Sequence, residues 1–292
     1  MRFVRYRHGD RKFAGVLEGE HVQRLDTTGL GGTADDLLAV IRVWEDSGPS
    51  VVRTIEPTLQ LEDVRLLAPI ADPGRNIFCV GKNYREHADE FAGSGFDVTS
   101  RGESLPSHPV VFTKPASSII GPGDRIDPHP GLTSALDYEA EIAVIIGHGG
   151  RGISTDAAWR HVWGYTLLND VTARDLQQQH RQWFIGKSLD TFCPMGPWAV
   201  SADEVDGTDL TIESHVNGEL RQRANTRDLI FDIPTLISTL SAGITLQAGD
   251  IVATGTPAGV GIGYDPSRFL VPGDVVSVSA TGLGSLVNEV GA

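Results

Sequence analysis

Along most of the chain, apolar residues alternate with polar ones or gather in short runs, a pattern that predicts strands separated by glycine turns. The stretches PVVFTKP, DYEAEIAVIIG, VWGYTLLNDV, LTIESHVNGEL, DIVATGT and DVVSVSATGLGSL all follow it. At the N-terminus, MRFVRYRHGDRKFAGVLEGEHVQRLD holds further β-rich runs separated by HGD and EGE, which suit hairpin turns. Helical spacing is rarer. Leu37, Leu38, Ile41 and Trp44 form one stripe, with Thr33 as the expected N-cap. Ile233, Leu236, Ile237 and Leu240 form another, with Asp232 as N-cap, Pro234 in the first turn and Gly243 past the end. Shorter helices are expected from Ala173 to Gln179 and around TDAAWRHV. The pattern predicts a β-rich α+β protein, without the strand–helix alternation of a doubly wound sheet. A Pro/Gly break near Ala68 to Gly74 divides it into a small N-terminal α+β subdomain, residues 1–70, and a main domain, residues 71–292.

Composition narrows the partners. A formal net charge of −14 over 292 residues argues against a nucleic-acid or anionic-membrane surface, both of which need clustered Lys and Arg. The opening MRFVRYRHGDRKF is charged where a signal peptide needs an apolar core, and no apolar stretch nears the ~20 residues of a bilayer span. Cys79 and Cys193 are the only cysteines and form no CxxC, so reduced thiols and a cytoplasmic location are expected.

One strand carries a charge problem. Residues i and i+2 of a strand share a face, so Glu139 and Glu141 point the same way, with Asp137 behind them. Beyond Glu141 that face turns apolar, at Ala143 and Ile145. Such a pair is relieved by solvent, by a basic partner or by a divalent cation. Asp170, at the end of the apolar run GYTLLND, is a third carboxylate, and oxygen-only ligands suit Mg²⁺, Mn²⁺ or Ca²⁺ better than zinc. Just beyond it, Arg174 and Gln177 share a helical face. His87 has Glu90 three residues on, the spacing at which one turn lets a carboxylate orient an imidazole. The glycines of GTPAGVGIG lack the spacing and ending of a phosphate loop, and read as tight turns beside the site. Lys114, in FTKP, either lines the pocket or ends its strand.

Taken in order, VGKNYREHADE, FTKP, DYEAEIAVIIG, GYTLLNDVTARDLQ, GKSLDTFCPMGPW, VNGEL and GDIVATGTPAGVG resemble the fumarylacetoacetate hydrolase family. The likeness is to its acylpyruvase and dioxo-acid branch, and the first 70 residues resemble the N-terminal extension of many bacterial members. It implies a mixed β-sandwich-like roll and a homodimer. Glu139, Glu141 and Asp170 match the family's Mg²⁺ or Mn²⁺ ligands. Lys187 of GKS matches the lysine that stabilises substrate oxygens, and His87 with Glu90 matches a water-activating pair. Arg174, Gln177 and Thr256 match substrate-positioning residues, whereas Asp137 matches no ligand. The resemblance implies a small anionic 2-oxo acid as substrate. The expected reaction is metal-dependent C–C hydrolysis of a 2,4-dioxo acid, passing through an enolate that the metal and Lys187 stabilise. Decarboxylation of oxaloacetate or isomerisation of a 2-oxo-enoic diacid uses the same enolate and stays open. A non-catalytic metal-binding protein on the same fold is the remote alternative. The Gly- and Ser-rich stretch over residues 87–108 is a candidate lid.

Overall fold

In the computed structural model, which describes residues 1–95 and 105–292, the N-terminal alternation becomes a meander. Strands β1 (Arg2–His8), β2 (Arg11–Glu18) and β3 (His21–Leu25) run antiparallel and turn at HGD and EGE as expected. Helix α1 (Leu37–Ser47) follows. Its N-cap is Asp36 and not Thr33: the Asp36 carboxylate accepts from the Ala39 amide at 3.2 Å, because residues 33–36 close a turn of their own before the helix starts. The expected stripe packs inward, and Trp44 meets Phe3 and Trp163 at ring separations of 5.8 and 5.7 Å. Strand β4 (Thr54–Gln60) then pairs with β3, and β5 (Arg65–Leu67) with β1.

The remaining elements supply the site. In chain order they are β6 (Ile77–Gly81), α2 (Arg85–Gly93), β7 (Val110–Lys114), and the two-residue β8 (Ile119–Ile120) and β9 (Leu136–Asp137). Next come β10 (Ala140–Ile146), α3 (Thr155–Ala158), β11 (Val162–Asn169), β12 (Thr172–Ala173), α4 (Arg174–Gln179) and α5 (Phe184–Lys187). The chain closes with β13 (Cys193–Ser201), β14 (Thr211–Val216), β15 (Glu219–Asn225), α6 (Ile233–Ser241), β16 (Ile251–Ala253), β17 (Val275–Ala280) and β18 (Gly284–Glu289). Asp232 caps α6 as expected, its carboxylate accepting from the Thr235 amide at 2.9 Å. Residues 96–104, within the candidate lid, lie outside the described residues; the stretch before them is α2.

Two mixed-length sheets face each other. The larger runs β4-β3-β2-β1-β13-β11-β10-β16-β6-β7, so the N-terminal meander continues the same sheet, and the smaller runs β15-β14-β17-β18. Strand β10 is buried on both faces. Ile142, Val144 and Ile146 join Ile212, Val276, Val278 and Leu286 of the second sheet. Ala143 and Ile145 face Phe3, Ile77 and Cys79 on the other side. That double burial explains its near-continuous apolar run. Cys79 and Cys193 are buried and unbridged, and burial pushes the Cys193 thiol up to about 12. Among the described residues, no helix is long and apolar enough to cross a membrane.

The sheet is tightest where β11 passes β13. A Cβ on Gly164 would overlap the Val200 carbonyl oxygen, a backbone atom that cannot swing aside. Gly164→Ala is expected to lower stability by about 1–3 kcal/mol through overpacking, read as a reduced urea midpoint in equilibrium unfolding.

Candidate active site

The acidic cluster arises from a gap in one antiparallel ladder. Strands β10 and β11 pair from Ile146 opposite Val162 to Ala140 opposite Asn169. Pairing resumes three residues further on, where Asp137 of β9 faces Thr172 of β12. Between these segments the chain is held by the Asp170 amide on the Glu139 carbonyl, 2.8 Å, and by the Glu139 amide on Asn169 Oδ1, 3.0 Å. Glu139 thus lies just before β10 and Asp170 just after β11, side by side because the two strands are antiparallel neighbours. Glu141, one residue inside β10, completes the set. Carboxylate oxygens of the three lie within 4.8 Å of one another, and all three residues are buried. Relief by solvent is therefore excluded, which leaves basic partners and a cation.

Basic partners account for two of the three. Lys187 Nζ, at the end of α5, sits 2.8 Å from both Glu139 Oε2 and Asp170 Oδ2. Arg174 Nη1 is 2.7 Å from Glu139 Oε1. Lys114 ends β7 inside the protein, 2.6 Å from Asp170 Oδ1, and also donates to the carbonyls of Val171 and Lys187. Burial alone would raise the Glu139 pKa, but Lys187 and Arg174 hold it down to about 2. Lys187 and Arg174 are in turn pushed above their usual range by these carboxylates, against the opposing effect of burial.

Glu141 is the exception. It forms no salt bridge among the described residues, and its carboxylate accepts a 2.8 Å bond from the Gly255 amide. Burial first, then the charges of Asp170 and Glu139, push its pKa well above the ordinary carboxylate range. An ionised Glu141 needs a positive charge in contact with it, and no basic side chain among the described residues pairs with it. An oxygen-only, buried, converging donor set with one uncompensated carboxylate fits a hard divalent cation of the Mg²⁺ or Mn²⁺ kind.

Asp137 has a different task. Its Oδ2 accepts from Arg174 Nε at 2.9 Å and from the Ile262 amide at 3.2 Å, and its Oδ1 from the Gly261 and Tyr138 amides at 2.6 and 2.9 Å. It aims the guanidinium that Glu139 and Gln177 then share; Arg174 Nη1 reaches Gln177 Oε1 at 3.3 Å. Arg174 Nη2 is buried and has no hydrogen-bond partner among the described residues.

The glycine-rich segment after β16 does more than turn. Its amides bind three separate carboxylates: Gly255 to Glu141, Gly259 to Glu90 at 3.0 Å, and Gly261 and Ile262 to Asp137. Glu90, fixed in this way, reaches back one turn of α2 to His87 Nδ1 at 3.2 Å. Thr256 Oγ1 accepts from Gln222 Nε2 at 2.7 Å. His87, Glu139, Arg174, Gln177, Lys187 and Thr256 all line one narrow pocket, together with Lys82, Phe91, Phe112 and Trp183. The structure therefore brings every sequence-predicted residue to this site, Glu141, Asp170 and Glu90 standing directly behind its wall. The sequence left Lys114 open between lining the pocket and ending its strand, and did not mark Lys82 or Trp183. A lysine ending an apolar strand carries no pattern that separates burial from exposure, and only the fold reveals Asp170 beside it.

The geometry agrees with what the chain is similar to. Residues 76–291 match the family model described as fumarylacetoacetate (FAA) hydrolase, C-terminal, and residues 1–69 match one described as Rv2993c-like, N-terminal. Oxaloacetate tautomerase YisK of Bacillus subtilis is 52% identical over 232 residues, covering 79% of this chain and 74% of that protein. The fumarylacetoacetate hydrolase EaFAH from psychrophilic Exiguobacterium antarcticum superposes with a TM-score of 0.85 at 45% identity, covering 100% of this chain and 99% of the other. The 2-hydroxyhepta-2,4-diene-1,7-dioate isomerase from Mycobacterium marinum does so with a TM-score of 0.78 at 33% identity, covering 100% and 98%. On the sequence match, the shared fold and the acidic cluster in its ladder gap, this protein belongs to the fumarylacetoacetate hydrolase family.

Proposed function

We propose that this chain is an enzyme acting on a small anionic 2-oxo acid, and that it interconverts the keto and enol forms of a 2-oxo diacid of the oxaloacetate class. The observation that carries this reading is one pocket wall holding a carboxylate-oriented histidine together with two buried cations, Lys187 and Arg174. The 52% identity to a protein named oxaloacetate tautomerase supports the choice of reaction.

His87 Nδ1 donates to Glu90, which leaves Nε2 as the base. It takes the proton from C3 of the substrate; the C–H electron pair becomes the C2–C3 double bond, and negative charge moves to the 2-oxo oxygen. Lys187, held in its charged form by Glu139 and Asp170, faces that charge as it develops. Arg174 is fixed at Nε and Nη1, so its unpartnered Nη2 is the donor for the C1 carboxylate. Protonation of the oxygen gives the enol, and the reverse transfer returns the proton to C3. A Mg²⁺ or Mn²⁺ ion on Glu139, Glu141 and Asp170 would supply Lewis-acid polarisation of the 2-oxo group.

Hydrolysis of a 2,4-dioxo acid is the second reading, favoured by the anchoring of Glu90 on the Gly259 amide, which orients the imidazole as a water-activating base requires. Following enol absorbance with oxaloacetate, and pyruvate release with acetylpyruvate, both with Mg²⁺, separates the two. Keto–enol exchange well above the buffer rate is expected. Exchange at the buffer rate with efficient pyruvate release would replace the first reading by the second. His87→Ala should lower kcat for the exchange roughly 10²- to 10⁴-fold while leaving the thermal response to Mg²⁺ in place; an unimpaired variant would remove His87 from proton transfer.

Mg²⁺ should raise Tm of the wild-type protein, by an amount worth about 2.7 kcal/mol at a hundred times Kd. In Glu141→Gln that response should vanish, yet the metal-free variant should melt no lower than metal-free wild type, since the change replaces a buried carboxyl that has no basic partner with a neutral group of the same shape. Differential scanning fluorimetry with and without EDTA reads both.

A further inference from the structure

The pocket holds a third cation that the proposed proton transfer does not use. Lys82 follows β6, is 5% exposed and lines the same cavity as His87 and Lys187. Its backbone lies in the left-handed region, φ 56°, where a side chain with a Cβ is disfavoured by roughly 1 kcal/mol. The neighbours on both sides hold it there. Gly81 packs its bare Cα against the Trp183 ring, where a Cβ would overlap the indole. Asn83 clamps two other segments, donating to the carbonyls of Phe231 and Thr254 at 3.0 and 2.7 Å and accepting from the Phe231 amide at 2.8 Å. A strained backbone kept by such a clamp fixes where the lysine emerges.

Lys82 stands at the end of an aromatic wall. Lys187 Nζ lies 5.1 Å from the Phe112 ring centre, Phe112 is 5.3 Å from Trp183, Trp183 is 5.9 Å from Phe91, and Lys82 Nζ is 5.2 Å from Phe91. One lysine at each end of this wall puts positive charge at two separate points of the cavity. Trp183 lines the same cavity and is 8% exposed, and its indole Nε1–H is buried with no acceptor among the described residues. A buried N–H without a partner loses a hydrogen bond it would have had in water, and a carboxylate oxygen in the cavity would restore it.

From this we infer that Lys82 and Trp183 form a subsite for the second carboxylate of the substrate, making the enzyme selective for 2-oxo diacids over 2-oxo monoacids. The inference rests on the reading of the pocket as a 2-oxo acid site but not on the reaction performed there. Lys82 supplies charge and Trp183 Nε1 a directed donor, while Arg174 and Lys187 serve the 2-oxo acid end. Phe91 and Phe112 keep the space between apolar, which strengthens the charged contact at Lys82.

The test is affinity by titration calorimetry with Mg²⁺ present, using oxaloacetate and 2-oxobutanoate, which has a methyl group in place of the distal carboxylate. Wild type should prefer the diacid roughly 10- to 100-fold, the range of one charge-assisted hydrogen bond. Lys82→Met should collapse that ratio and Lys82→Arg should restore most of it, which a merely structural lysine would not do. Trp183→Phe, which keeps the ring and removes the N–H, should reduce the ratio roughly 3- to 10-fold. An unchanged ratio in Lys82→Met, or equal affinities in wild type, would overturn the subsite; an unchanged ratio in Trp183→Phe would overturn the assignment of the indole. If the preference behaves as expected while neither acid shows C3–H exchange with deuterium oxide by NMR, the subsite stands and the tautomerase reading falls.

Discussion

Four buried carboxylates, Asp137, Glu139, Glu141 and Asp170, meet three buried cations, Lys114, Arg174 and Lys187, at the gap between two segments of one antiparallel ladder. Taking this many charges out of water is unfavourable by several kcal/mol per ion before pairing, so each must find a partner close by. Their pairing is distributed: Lys187 bridges Glu139 and Asp170, Arg174 bridges Asp137 and Glu139, and Lys114 closes on Asp170. One negative charge is left over, at Glu141. A converging acidic set with one carboxyl left without a basic partner is well suited to holding a cation.

The surrounding fold serves this cluster. Strands β10 and β11 bring Glu139 and Asp170 together by register, and the dry face of β10 stops water from screening them. The segment after β16 returns at the same end of the sheet and turns its amides on Glu141, Glu90 and Asp137. Three elements distant in sequence, α2, β9 and β10, are thereby tied to one backbone stretch. Backbone donors satisfy carboxylates without adding charge, so the loop holds Glu141 without cancelling the deficit that a metal would meet.

Much of the site was legible beforehand, for identifiable reasons. Glu139 and Glu141 stood out because like charges beside an apolar run call for a partner, Asp170 and the His87–Glu90 spacing were visible from the residues, and the family motifs supplied Lys187 and the roles expected of the set. Asp137 was visible as a carboxylate on the same face, yet its role was not, because its partner Arg174 is 37 residues away. The glycines of GTPAGVGIG read as turns; that their amides also serve carboxylates depends on which side chains the fold presents to them. Thr33 was expected to cap α1, but a local turn shifted the start to Asp36, a choice between two capping residues three positions apart that composition does not decide.

By itself the sequence determined the class of architecture and the chemistry available: alternation dictates strands, capped apolar stripes dictate α1 and α6, and an oxygen-only acidic set suits a hard cation better than zinc. Periodicity and residue type are local properties, so they survive in a linear reading. Tertiary structure alone decided which charges neutralise one another, which carboxylate was left without a partner, and which lysines ended up inside. Those outcomes depend on distances between residues far apart in the chain and on the exclusion of water, neither of which has a local signature. Lys114 and Lys82 make the point: the sequence left Lys114 open between the pocket and the end of its strand and did not mark Lys82, and both are buried, Lys114 beside Asp170 and Lys82 lining the pocket.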